Sequence, residues 1–203
     1  MGAAVRSENF YGGVEGDTSL DDFVNLISRP DNQDKAYELI NGCIIMITGN
    51  ASGNHHRING YIFRKIGNYL DGKKCEVFQD INTYLFSDDI GNCKNVFQPD
   101  ILVGCDRESV TDRGYEGVPV FIAEVTSKTT AKYDYFVKSA RYMQFGVKEY
   151  WIIDLHKNQI LVFLNGNEDP PTVRAYTFEN AINLSVFDDL SIDFSEILKI
   201  VEL

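Results

Sequence analysis

Asp100, Glu124 and Lys138 are the residues of this chain whose types and order can do chemistry together. Asp100 follows Pro99, which biases it toward an extended backbone as it enters the apolar run Ile101-Leu102-Val103. Glu124 sits inside Phe121-Ile122-Ala123-Glu124-Val125, where a carboxylate is costly unless it is paired or metal-bound. Two such acids on neighbouring strands can point at one place. With the Val125 carbonyl and water they form an all-oxygen shell suited to Mg²⁺ or Mn²⁺. A cation held there would polarise a phosphate oxygen and lower the pKa of an attacking water. Two bare carboxylates about 5 Å apart would repel by about 3 kcal/mol at an effective dielectric of about 20, so their titration should be coupled.

Lys138 lies on the following helix. Asp134, Lys138 and Tyr142 are spaced i, i+4 and i+8 and so share one face. In a catalytic reading Lys138 steadies the attacking hydroxide or the charge developing on phosphorus. In the plainer reading it is a solvated helix pair with Asp134, worth roughly 0.2–0.5 kcal/mol. Lys128 and Lys132 are rival lysines closer to Glu124. Glu38, on the otherwise apolar strand Tyr37-Glu38-Leu39-Ile40, is either a further metal ligand or a solvent-face residue. His56, opening a helix, either contacts phosphate or a site carboxylate or is simply exposed. Tyr150 and Trp151 read as core.

The elements that must position these residues follow from local patterns. Residues 1–17 are Gly-rich and polar and read as a flexible N-terminal arm; residues 18–203 read as one domain. Thr18 or Ser19 caps a first helix with Leu20, Phe23, Val24 and Ile27 on one face. Asn41-Gly42 supplies the positive φ angles of a hairpin turn between Tyr37–Ile40 and Cys43–Ile47. Ile58, Ile62, Ile66 and Tyr69 mark a long amphipathic helix over 55–70. Val77 to Phe86 reads as one strand and 87–98 as a polar loop. The short apolar runs at 101–103 and 118–125 suit strands buried on both faces. A second long helix spans 132–145 and ends at Gly146. A hairpin (150–153 and 160–164), a strand near 173–178 and a short C-terminal turn or helix complete an α/β domain with a mixed central β-sheet flanked by helices.

The 203 residues suffice for one sizeable core. The net charge of -11 argues against a sequence-indifferent nucleic-acid coat, although a local basic patch could survive it. Cys43, Cys75, Cys93 and Cys105 form no C-x-x-C pair, which makes a structural zinc site unattractive and suggests free thiols in a reducing, cytoplasmic setting. No secretory leader and no membrane span is legible.

The set as a whole resembles the Uma-type family of restriction endonucleases, within the PD-(D/E)XK nuclease superfamily. The resemblance runs from about Leu20 to Leu164. It rests on Tyr37 to Gly42, on His56, on Pro99-Asp100, on Glu124, Val125, Ser127 and Thr130, and on Asp134, Lys138, Tyr142 and Gly146 to Trp151. It implies a restriction-endonuclease-like domain and a metal-dependent DNA endonuclease with Asp100, Glu124 and Lys138 catalytic. It also implies His56, Ser127, Thr130, Asp134 and Tyr142 in support, and a homodimer. The sequence departs from the superfamily tripeptide, because Thr126 stands where its lysine belongs; the resemblance implies that the lysine has moved to the helix. The alternative is a catalytically inactive nuclease-fold protein that binds nucleic acid or a protein partner.

Overall fold

The Asn41-Gly42 turn adopts φ of 52° and 74° and folds β1 (Ala36–Ile40) back on β2 (Cys43–Ile47), with Ile40 opposite Cys43. The computed structural model describes residues 15–47, 51–127, 130–166 and 171–201. Residues 1–14 of the expected arm lie outside that set. Gly16 donates its N–H to the Asn41 carbonyl at 2.8 Å. A Cβ on Gly16 would stand 2.2 Å from the Gly42 oxygen, so only glycine permits this approach. Ser19 caps α1 (Leu20–Ile27), its Oγ accepting from the Asp22 N–H.

The remaining elements are α2 (Gly53–Leu70), β3 (Glu76–Phe78), β4 (Thr83–Leu85), β5 (Asn95–Phe97), β6 (Ile101–Gly104), β7 (Val110–Thr111), β8 (Gly114–Glu116) and β9 (Phe121–Val125). They are followed by α3 (Ala131–Tyr133), a π-helical segment (Asp134–Lys138), α4 (Ser139–Phe145), β10 (Glu149–Asp154), β11 (Gln159–Leu164), β12 (Thr172–Tyr176), β13 (Ala181–Asn183), β14 (Ser191–Asp193) and α5 (Ser195–Leu198). None of these helices is long and apolar enough to cross a membrane.

The α/β class with mixed pairing holds, but among the described residues the strands divide between two six-stranded sheets and a small hairpin instead of forming one central sheet. One sheet runs β2-β1-β5-β4-β8-β7 and the other β12-β11-β10-β9-β6-β3. The expected single strand over 77–86 is broken at Asp80, whose φ of 51° reverses the chain and sends β3 and β4 to different sheets. The expected polar loop hides the buried strand β5, carried by Val96 and Phe97.

The continuous apolar runs are explained by burial on both faces. Ile101, Val103, Phe121, Ala123, Trp151 and Ile153 pack with Ile58, Ile62 and Ile66 of α2. Emptying one of these positions, as in Ile62→Ala, should cost about 2–5 kcal/mol. The alternate residues Leu102, Ile122, Tyr150 and Ile152 pack with Tyr142 of α4 and with Ile40, Leu85 and Phe97 of the first sheet. This second cluster ties the two sheets together beneath the helix that carries Lys138.

The cysteines correct the sequence reading. Cys75 and Cys105 form a disulfide that joins the start of β3 to the end of β6, while Cys93 remains a buried thiol. Antiparallel pairing of Glu76 with Gly104 brings the two flanking cysteines opposite each other, a juxtaposition that no C-x-x-C spacing announces.

Candidate functional site

Strand pairing brings the two acids side by side. β6 and β9 pair antiparallel with Ile101 opposite Ala123, and Asp100, in the bend just before β6, lies against the end of β9. Glu124 points to the α4 face of the second sheet with Leu102 and Ile122, where it meets Lys138 and Tyr142, while Asp100 at the strand end also meets His55 of α2. Gln98 and Pro99 carry the chain from the first sheet into the second just before Asp100. The site thus lies where the two sheets meet, and Glu38 reaches it from β1.

Lys138 is the centre of the cluster. Its Nζ lies 2.7 Å from Glu124 Oε1, 3.1 Å from Glu38 Oε1 and 3.9 Å from Asp134 Oδ1. The residue is only 5 % exposed, so it is no solvated helix pair. Two tyrosine neighbours add donors: the buried Tyr142 donates to Glu124 Oε1 at 3.1 Å and the half-buried Tyr133 to Glu38 Oε2 at 2.9 Å. The Gln98 N–H donates to Glu38 Oε1 at 3.1 Å. Both oxygens of Glu38 thus have donors, and its place is beside the lysine. The hydroxyls of Thr126 and Thr130 lie near Asp134 and favour its charged form.

Asp100 stands at the open side. Its Oδ2 accepts from the Val125 N–H at 2.7 Å and lies 3.1 Å from His55 Nε2. Its backbone N–H makes a long 3.4 Å contact with Glu124 Oε2. Asp100 Oδ1 has no hydrogen-bond partner among the described residues, and Glu124 Oε2 has only that long contact. Glu149 shows the contrast with a structural acid. It is fully buried, yet it accepts from Trp151 Nε1, from the N–H and Oγ of Ser185, and from the Val186 N–H.

The electrostatics follow from three carboxylates (Glu38, Glu124, Asp134) around one buried ammonium, with Asp100 beside Glu124. Burial pushes Glu124 well above the ordinary carboxylate range; Lys138 opposes this, while Asp100, Asp134 and Glu38 add to it. Burial likewise raises Asp134 to about 6, against the pull of Lys138 and the two threonine hydroxyls. The acids around Lys138 outweigh its burial and hold its ammonium well above the usual lysine value. Burial, and then the nearby carboxylates, raise Tyr142.

The family model whose description reads "Putative restriction endonuclease" (Uma2) matches residues 20–195. The chain belongs to the Uma2 family. A crystal structure described as a putative nuclease from Anabaena variabilis shares the fold, with a TM-score of 0.70 at 17 % identity over 89 % of this chain and 97 % of that one. Among curated proteins none matches.

Most of the residues singled out from the sequence of this Uma2 chain come together. Glu38, Asp100, Glu124, Asp134, Lys138 and Tyr142 share one cluster. Ser127 and Thr130 stand one step back. Their side chains and N–H groups bond reciprocally across the turn that opens the helix, and Thr130 reaches Asp134. His56 is exposed, and its neighbour His55 is the imidazole that meets Asp100. The sequence held a signal for this: His55 precedes Ile58, Ile62 and Ile66 by three, seven and eleven residues and so shares their buried face. Lys132 is exposed, and Lys128 lies outside the described residues. Tyr133 was not foreseen. It sits five residues before Lys138, and only the π-helical turn between them brings both to Glu38.

Proposed function

We propose that this Uma2-family protein is a divalent-cation-dependent endonuclease that hydrolyses DNA phosphodiesters. One observation carries the reading: Asp100, just before β6, touches Glu124 Oε2 with its N–H and accepts the Val125 N–H on Oδ2, so the two acids adjoin at the strand ends with a buried lysine ammonium 2.7 Å from Glu124.

The donor set fits a hard cation. Asp100 Oδ1 lacks a partner among the described residues, Glu124 Oε2 has only a 3.4 Å contact, and the Val125 peptide lies beside both. No group of three His, Cys, Asp or Glu residues among the described residues is already converged on one point. Asp100, Glu124 and the Val125 carbonyl would hold Mg²⁺ or Mn²⁺ together with water. Glu38, with both oxygens engaged, would hold the lysine. When bound, the cation supplies Lewis-acid polarisation of the phosphate and a more acidic water.

The other roles belong to the chain. Lys138 keeps its proton at any working pH, so it serves as a fixed positive charge toward the developing phosphorane and not as a base. Glu38, Asp134 and Tyr133 fix its direction. Tyr142 holds one oxygen of Glu124 and leaves the other to face outward. Thr126, in the place of the tripeptide lysine, helps hold Asp134 while Lys138 brings the ammonium in from the helix. Cutting both strands of a duplex calls for two such sites, and we infer a homodimer by analogy with other nucleases.

The test is incubation of the purified protein with supercoiled plasmid and with single-stranded DNA, with Mg²⁺, with Mn²⁺ or with excess EDTA. Cleavage that needs the cation supports the proposal. Undiminished cleavage in EDTA would overturn the metal mechanism. DNA binding without cleavage under any cation would make this a non-catalytic nuclease fold.

A further inference from the structure

Beyond the acids and the lysine, the first two turns of α2 carry a chain of polar groups, anchored on the buried Asn59, that ends on Asp100. Ser52 caps this helix, its Oγ accepting the His55 N–H at 3.2 Å. The helix is locked by Ile58, Ile62 and Ile66, all fully buried, so His55 has a fixed base. Asn59 lies one turn further on the same face, 5 % exposed, with its Nδ2 3.3 Å from His55 Nδ1. His55 Nε2 is 3.1 Å from Asp100 Oδ2. In the neutral ring, an amide N–H directed at Nδ1 requires the lone pair there and places the proton on Nε2, so that Nε2–H donates to Asp100.

Asn59 gives up something for this. Its Oδ1 is the buried side-chain polar atom among the described residues that finds no partner. Proteins rarely leave such an atom orphaned, and where they do a functional constraint is a common reason. Asp100 Oδ2, meanwhile, accepts from both Nε2–H and the Val125 N–H. Two donors on one oxygen stop rotation of the carboxylate and leave Oδ1 as the outward lone pair.

We propose that Asn59 and His55 are positioning residues that set the tautomer and the donor for Asp100, so that Asp100 presents Oδ1 as a preoriented ligand to a divalent cation. This rests on the proposed function for its last step but not for the tautomer. Neighbours that orient a ligand in this way typically change metal affinity by about 10–100-fold when removed.

Two measurements separate the parts. In the metal-free protein at pH 9, long-range ¹⁵N–¹H spectra should show His55 as the Nε2–H tautomer, and Asn59→Leu should mix the tautomers. A dominant Nδ1–H tautomer in the wild type would overturn the proposal whatever the protein does with metal. Mn²⁺ titration followed by electron paramagnetic resonance then reads the last step. His55→Ala should weaken Mn²⁺ binding about 10–100-fold. His55→Gln, whose amide can still donate to Asp100, should recover much of the loss, and His56→Ala should bind as the wild type does. Thermal melts of each variant confirm that it is folded. Wild-type affinity in folded His55→Ala, alongside lost binding in Asp100→Ala, would refute the positioning role and leave the proposed function standing. Absence of Mn²⁺ binding by the wild type itself would overturn both the cation reading and the last step.

Discussion

Lys138→Met is the most informative single substitution, because the structure reverses what helix spacing alone suggests about it. As a solvated i, i+4 pair the lysine would contribute a few tenths of a kcal/mol, and its loss would hardly move the melting temperature. In the structure it is a buried cation within 4.0 Å of three carboxylates. Removing one partner of a buried ion pair typically costs about 3–5 kcal/mol, since a charge is left uncompensated in a dry site. For a chain of 203 residues each kcal/mol moves Tm by about 2–4 °C, which gives a drop of about 6–20 °C. The loss should depend on pH. Glu124 is already raised by burial, and without the lysine it rises further. The folded variant then binds more protons than the unfolded chain, so its stability falls as pH rises above the ordinary carboxylate range. The slope is about 1.4 kcal/mol per pH unit for one proton. Wild type shares this slope until its own raised Glu124 ionises, so between pH 5 and pH 8 the deficit widens only beyond that point. Calorimetric melts at both pH values measure it. Lys157→Met serves as the control; that lysine pairs with Asp154 at 3.2 Å but is 56 % exposed, and it should cost less than about 1 kcal/mol. A Lys138→Met variant melting within a degree of wild type at both pH values would refute the buried-cluster reasoning. Activity should fall by about 10²–10³ in the same variant if the ammonium stabilises the transition state.

Asp134 gives a second pH signature. Its value is raised from 3.8 to about 6, so its contribution to stability is lost as pH rises through that window, and Asp134→Asn should remove that loss. Melts of both proteins between pH 4 and 8 should diverge in favour of the variant at the alkaline end; parallel curves would contradict the shift. The Cys75–Cys105 disulfide closes a loop with a sequence separation of 30, worth about 3–4 kcal/mol in the chain-entropy model. Dithiothreitol should lower Tm accordingly, and full alkylation of both cysteines in unreduced, unfolded protein would show the bond absent. Sedimentation at assay concentration should give the mass of a dimer, and a monomer that cleaves both strands in a single encounter would sink the pairing argument.

Local chemistry made much of this chain legible without its structure. The Asn41-Gly42 hairpin, the Ser19 cap, the Gly146 helix end and the two-faced apolar strands each depend on a handful of consecutive residues, whose backbone preferences and periodicity act over short range. The pairing of Asp100 with Glu124 was also within reach, because an acid inside an apolar strand has few tolerable environments. What the tertiary structure alone decided depends on which surfaces bury which. The reversal at Asp80 divides the strands between two sheets, a choice made by long-range pairing and not by the strand pattern. The disulfide follows from the register of β3 against β6. The depth of Lys138 and the approach of Tyr133 come from a π-helical turn that shifts the helical phase by one residue, and spacing counted at 3.6 residues per turn does not contain it. The choice between His55 and His56 lies between the two regimes. Their positions differ by about 100° around α2, and packing of Ile58, Ile62 and Ile66 against the second sheet fixes which imidazole faces Asp100.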